Sequence, residues 1–171
     1  MQPLALTAGE PAGIGPELTL ILWTKRTAFD VPIFAAVGDP MLFEARAKLL
    51  GLNVPVVECA AADAERKFPA ALPVIRAGNP VTATPGKPDD TSAQAASAAI
   101  RRAVQLVQTG QAAAVVTNPI AKAVMYDAGF DFPGHTEFLA HLAAAPGRPA
   151  PRPAMLIWSD ALAVVPVTIH V

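Results

Sequence analysis

The chain has 171 residues, 53% of them apolar, and a formal net charge of −1. That length suits one domain with a real core, or part of something larger, but is too short for two ordinary domains. The near-neutral charge excludes a nucleic-acid or polyanion binder driven by electrostatics. Cys59 is the only cysteine, which rules out an internal disulfide and a cysteine-based zinc knuckle and fits a reducing compartment. The start, MQPLALTAGEP, has no basic region and too short an apolar run for a secretory signal. The longest apolar run, near Ala161 to Val167, falls well short of the ~20 residues a spanning helix needs. A cytoplasmic protein that binds neither membrane nor nucleic acid is expected.

In chain order, Leu4 to Thr7 reads as a short buried strand. Ala8 to Gly15 is a turn, and Pro16-Glu17 opens a helix to about Arg26, with proline at its first position and a carboxylate at the positive end of the dipole. Ile33 to Val37 is a continuous apolar strand; Gly38-Asp39-Pro40 turns it into a helix from Met41 to Leu50 that Gly51 ends. Val54 to Glu58 and Val74 to Arg76 are further strands, with an irregular segment between them. Ala77 to Asp90, with three prolines and two glycines, is a long surface loop that could serve as a lid. The strongest helix follows: Thr91 and Gln94 fit a capping box, Ala93, Ala96, Ile100, Ala103, Val104 and Val107 supply one apolar face, and Gly110 stops it.

The stretch from Thr117 to Phe138 carries the densest polar chemistry. An apolar strand, Ala112 to Val116, empties into Thr117-Asn118-Pro119, with Lys122 shortly after. A short helical segment, Ala121 to Ala128, breaks at Gly129. Pro133-Gly134 breaks the chain again, so that His135 and Thr136 stand at the start of a helical pattern running from Glu137 to Leu142, where a helix favours an anion. Pro146 to Pro153 is a proline-rich connector, and two β-like runs, Met155 to Trp158 and Leu162 to Ile169, close the chain. Strands alternating with helices indicate an α/β fold with a mostly parallel or mixed sheet. Ending on the bare strand at His170 and Val171 suggests the amino-terminal part of a longer protein.

Each candidate has two readings. Gly13 and Gly15 sit at a strand-to-helix junction but match neither G-x-G-x-x-G nor a P-loop, so the segment is either a tight structural turn or a ligand loop, with Glu10 the residue whose charge could matter. Lys122 either sits beside a substrate anion or is a solvated lysine at a helix start. His135 can be a hydrogen-bonded helix-start residue, a general acid or base, or a partner to substrate. His141, six residues on, misses the i,i+4 spacing of a helical zinc pair and reads as an ordinary histidine. His170 cannot make a metal site alone, because a catalytic divalent ion usually needs about three protein ligands.

Taken together, GEPAGIGPE at Gly9 to Glu17, TNPIAK at Thr117 to Lys122, DAG and FPGHTEF between Asp127 and Phe138, and the VPVTIHV ending resemble the 4-hydroxythreonine-4-phosphate dehydrogenase family of vitamin B6 biosynthesis. The resemblance extends over the whole chain but only about the first half of a family member. It implies a three-layer, isocitrate/isopropylmalate dehydrogenase-like α/β fold. Residues 1–171 would then be a single α/β unit, the amino-terminal portion of a larger two-domain dehydrogenase, with little or no activity by itself. It also implies a homodimer, NAD or NADP, a divalent metal (Zn, Mg or Co), and oxidation with decarboxylation of 4-phosphooxy-threonine, a phosphorylated hydroxy-amino acid. By motif match His135 and Thr136 would bind substrate and His170 would be the first of three histidine metal ligands; Lys122 is a catalytic candidate. Rival readings are a dehydrogenase of another phosphorylated four-carbon hydroxy acid or of an aromatic-acid cis-dihydrodiol, and, in another class, a non-catalytic ligand-binding module.

Overall fold

The structure, a computed structural model, describes residues 2–82, 84–144 and 151–167. The chain divides into two compact units, Met1–Asp131 and Phe132–Val171.

The first unit is built on five strands: β1 (Leu4–Thr7), β2 (Phe34–Gly38), β3 (Val56–Glu58), β4 (Leu72–Arg76) and β5 (Val115–Val116). They pair in the order β3-β4-β2-β1-β5, every pairing parallel. Parallel sheets need cover on both faces, which is why these strands are apolar at nearly every position. Alternation along each strand divides the side chains between two cores. Leu6, Ala36 and Val74 face one core with Leu20 and Trp23 of α1 (Gly15–Thr24) and Leu42, Phe43 and Ala47 of α2 (Pro40–Leu49). Ala5, Ala35, Val37 and Ile75 face the other, with Ala99, Ala103 and Leu106 of α4 (Asp90–Gln108) and Ala64 of the short α3 (Ala64–Lys67). The expected three layers are therefore present, and the mostly parallel α/β architecture holds. A third, smaller cluster packs Met125 of α5 (Lys122–Asp127) against Ala93 and Ala96 of α4.

Local boundaries differ in instructive ways. The irregular segment after Glu58 contains a 3-10 turn, Ala61–Asp63, and then α3. The capping box of α4 is not Thr91 with Gln94 but Asp89 with Ser92. The Asp89 side chain accepts from the Ser92 N–H at 3.1 Å, and Ser92 Oγ accepts from the Asp89 N–H at 3.1 Å. Serine at the third helical position closes the box as well as the longer glutamine would, two residues earlier than predicted. Strand pairing at β5 is only two residues long, although the chain before it still runs beside the first strand, through Ala113 N–H to the Pro3 carbonyl and Ala5 N–H to the Ala114 carbonyl.

In the second unit α6 (His135–Leu142) starts two residues earlier than its pattern suggests, and β6 (Ile157–Trp158) pairs antiparallel with β7 (Ala163–Val164). No helix among the described residues is long and apolar enough to cross a membrane.

Candidate functional site

All five strands of the first unit point the same way, so their carboxyl ends share one edge of the sheet. There β1 and β5 are neighbours, in register Ala5↔Val115 and Leu6↔Val116. The chain leaving β1 enters α1 on one face, whereas the chain leaving β5 enters α5, which packs on α4 over the opposite face. Adjacent exit loops that part to opposite faces make a crevice, the usual ligand position in an open α/β sheet.

The two loops brace each other. Glu10 N–H donates to the Pro119 carbonyl at 2.8 Å. Asn118 uses both protons of its side-chain amide, on the Thr7 carbonyl and on Thr19 Oγ1, each at 2.9 Å, while Thr19 Oγ1 donates to the Gly15 carbonyl. Thr7, Thr19 and Asn118 are all buried, and no smaller side chain than asparagine offers two donors there. Gly9 has φ +70°, and a Cβ on it would lie 2.5 Å from the Pro119 oxygen; at Gly15 a Cβ would lie 2.2 Å from the Ala8 oxygen. The glycines are thus required by the chain's own close packing.

Behind the first loop stands Arg46 of α2, its side chain 2% exposed. Its guanidinium donates to the carbonyls of Pro11 and Gly13 at 2.9 and 3.0 Å and pairs with Glu17 at 2.9 Å. The loop Ala77 to Asp90 is exposed but tethered. Val81 N–H donates to Asp39 at 3.1 Å, and Gly86 N–H to the Ala12 carbonyl at 2.8 Å. Asp39 also caps α2 through Met41 N–H and pairs with Arg76. Arg76 in turn makes a forked contact with Glu58, which holds the Glu58 carboxyl below the usual carboxylate range and raises the Arg76 guanidinium. Burial pushes the Cys59 thiol up, away from the thiolate that reacts.

Glu10 itself is 5% exposed. Its Oε1 accepts from Ala12 N–H at 3.1 Å, and its Oε2 is buried without a hydrogen-bond partner.

Of the residues singled out from sequence, Lys122 is exposed at the first position of α5, in the same unit as the crevice. His135 and Thr136 occupy the first turn of α6, in the second unit, both half-buried, with Gly134 as the capping residue. His141 is exposed on the same helix, its ring 5.0 Å from that of Phe132, as an ordinary histidine would be. His170 lies outside the described residues. Among the described residues no group of three or more His, Cys, Asp or Glu could hold a metal ion, so they do not by themselves form a metal centre. Nor does the Gly9–Gly15 loop fit a dinucleotide, because the Ala8 carbonyl and Asn118 fill the space that a pyrophosphate would need beside Gly15.

Sequence reasoning picked out Glu10 but missed Asn118 and Arg46. For Arg46 a signal was available: helical spacing sets it among Leu42, Phe43 and Ala47, on the buried face of α2.

The fold is that of an open, parallel α/β protein, a class in which small ligands usually sit at the carboxyl ends of the strands. The family described as pyridoxal phosphate biosynthetic protein PdxA matches residues 30–171, and the chain belongs to it. Similar curated proteins named 4-hydroxythreonine-4-phosphate dehydrogenase come from Xanthobacter autotrophicus, 56% identical over 98% of this chain and 48% of the relative, and from Methylorubrum extorquens, 57% identical over 99% and 49%. A crystal structure of a 4-hydroxythreonine-4-phosphate dehydrogenase from Burkholderia phymatum superposes with a TM-score of 0.84 at 25% identity, covering 100% of this chain and 51% of that one. The chain spans about half the length of the relatives it matches.

Proposed function

We propose that this chain supplies part of the substrate site of a dehydrogenase that oxidises and decarboxylates 4-phosphooxy-L-threonine on the route to pyridoxal phosphate. The reading is that of a cytoplasmic homodimer using NAD or NADP and a divalent ion. The observation that carries it is the high identity, along nearly the whole chain, to proteins named for that activity.

The chain's own residues suit a part in binding. The first turn of α6 presents the positive end of an eight-residue helix, which favours an anion such as a phosphate or carboxylate. His135 adds an imidazole and Thr136 a hydroxyl, both able to hydrogen-bond substrate oxygens. Lys122, the third candidate, is an exposed cation at the first position of α5. A nicotinamide would accept hydride and a divalent ion would stabilise negative charge on oxygen; the described residues contain no cluster of three that could hold the ion by itself.

Calorimetric titration of the chain with 4-phosphooxy-L-threonine tests this. His135→Ala is expected to weaken binding about 10- to 100-fold, the worth of one hydrogen bond to a charged group, with the thermal unfolding midpoint unchanged. Unaltered affinity in the variant would remove His135 from the site.

A further inference from the structure

We propose that a cavity at the amino edge of the sheet in the first unit binds a small primary alkylammonium ion through the side-chain oxygens of Gln2 and Gln111. The site lies at the opposite edge from the crevice and is independent of the substrate reading above. Gln2 and Pro3 lead into β1, Gly110 and Gln111 follow the end of α4, and Ala61 and Ala62 belong to the 3-10 turn after β3. These six residues line a cavity of about 410 Å³, a size at which small-molecule pockets are found. A Cβ on Gly110 would meet only the Gln2 amide, at 4.0 Å, so the end of α4 stands open toward this space.

Both glutamines are fixed in orientation with the nitrogen spent. Gln2 Nε2 donates to the Gly110 carbonyl at 2.6 Å. Gln111 Nε2 donates to Thr109 Oγ1 at 2.9 Å, and that hydroxyl has given its own proton to the Gln105 carbonyl at 2.8 Å, so it only accepts here. What each amide has left is its oxygen, and neither oxygen accepts from a donor among the described residues. No charged side chain lines the cavity; Asp63, next to Ala62, is taken by Arg66 at 2.7 Å. The last turn of α4 holds no basic residue, so the negative pole of its dipole is uncompensated. Acceptors at a negative helix end select a cation that carries N–H groups. Two acceptors on separate side chains suit a tetrahedral ammonium better than a guanidinium, whose planar fork matches the paired oxygens of a carboxylate. The space is far larger than a bare metal ion needs, and Pro3, Ala61 and Ala62 offer carbon surface to cover a short alkyl chain.

The test is a titration of the isotope-labelled chain with n-butylammonium at constant ionic strength, followed by the NMR signals of the Gln2 and Gln111 side-chain amides and the Gly110 N–H. These three signals are expected to move together and to saturate, with 1-butanol, butyrate and tetramethylammonium at the same concentrations leaving them in place. Gln111→Ala is expected to weaken butylammonium about 2- to 10-fold, the net worth of one hydrogen bond, and Gln111→Glu, which sets a carboxylate in the same reach, to tighten it about 10-fold. An equal response to butanol or butyrate would reduce the site to an apolar hollow, and an equal response to tetramethylammonium would remove the N–H contacts; either overturns the proposal. So would a response to potassium chloride alone, the absence of any response to butylammonium, or unchanged affinity in both variants.

Discussion

Arg46 shows how one side chain can set a loop. Placed on the buried face of α2, it satisfies two carbonyls of the first crevice loop and a carboxylate at the start of α1. Removing one member of a buried, fully hydrogen-bonded set leaves the others without partners, which costs far more than the net worth of the pair. Arg46→Met is therefore expected to destabilise the chain by about 3–5 kcal/mol, and Arg46→Lys by less, since a lysine keeps the charge but lacks the planar fork that reaches three acceptors. Urea denaturation of the two variants measures both values; a loss below about 1 kcal/mol for Arg46→Met would show that the loop does not depend on it. Asn118 acts in the same manner between β5 and β1, with an amide that no isosteric aliphatic side chain replaces. Nothing in the words Thr-Asn-Pro reveals this, because the partners, Thr7 and Thr19, are 111 and 99 residues away.

At the scale of elements, α4 is the longest helix described and the one the sequence marks best, through its alanine-lined face and the glycine that ends it. Gly110 has φ +68°, the left-handed conformation expected of a helix stop. Its start was legible as a capping box and wrong in register, since an aspartate and a serine two residues earlier compete for the same role. The Thr91 hydroxyl and the Ser92 N–H hold the Asp89 carboxyl below the usual carboxylate range. A carboxyl whose folded value is depressed adds stability above its unfolded value, near 3.9, and loses it as pH falls through the lower folded value. Asp89→Ala is expected to lower the melting temperature by several degrees at neutral pH, and the gap to wild type should close as the solution is acidified below about pH 4. A gap that persists undiminished in acid would mean that the carboxylate charge plays no part in the cap.

For the whole molecule, strand order decides where ligands can go. The path from β1 to β2 covers one face of the sheet and the path from β4 to β5 crosses to the far side of β1 over the other face, so that the crevice arises at the β1–β5 boundary. Neither loop there contains a metal-ligating cluster, and the chain spans about half of its curated relatives. The chain alone is accordingly expected to form no NADH from NAD and 4-phosphooxy-L-threonine with Zn, Mg or Co present; measurable NADH production, followed by absorbance, would contradict this.

The sequence by itself determined the α/β class, the position of most strands and helices, and the family, because periodicity, caps and short motifs are local properties that a few neighbouring residues carry. The position of His135 and Thr136 at a helix start was legible in this way. Only the tertiary structure decided that the glycines of GEPAGIG serve internal packing, that Arg46 and Asn118 lock the crevice loops, and that Glu10 keeps one carboxylate oxygen buried and unused. Burial and hydrogen-bond satisfaction depend on which distant segments meet, and the parallel sheet brings those segments together only after the chain has crossed from one face to the other.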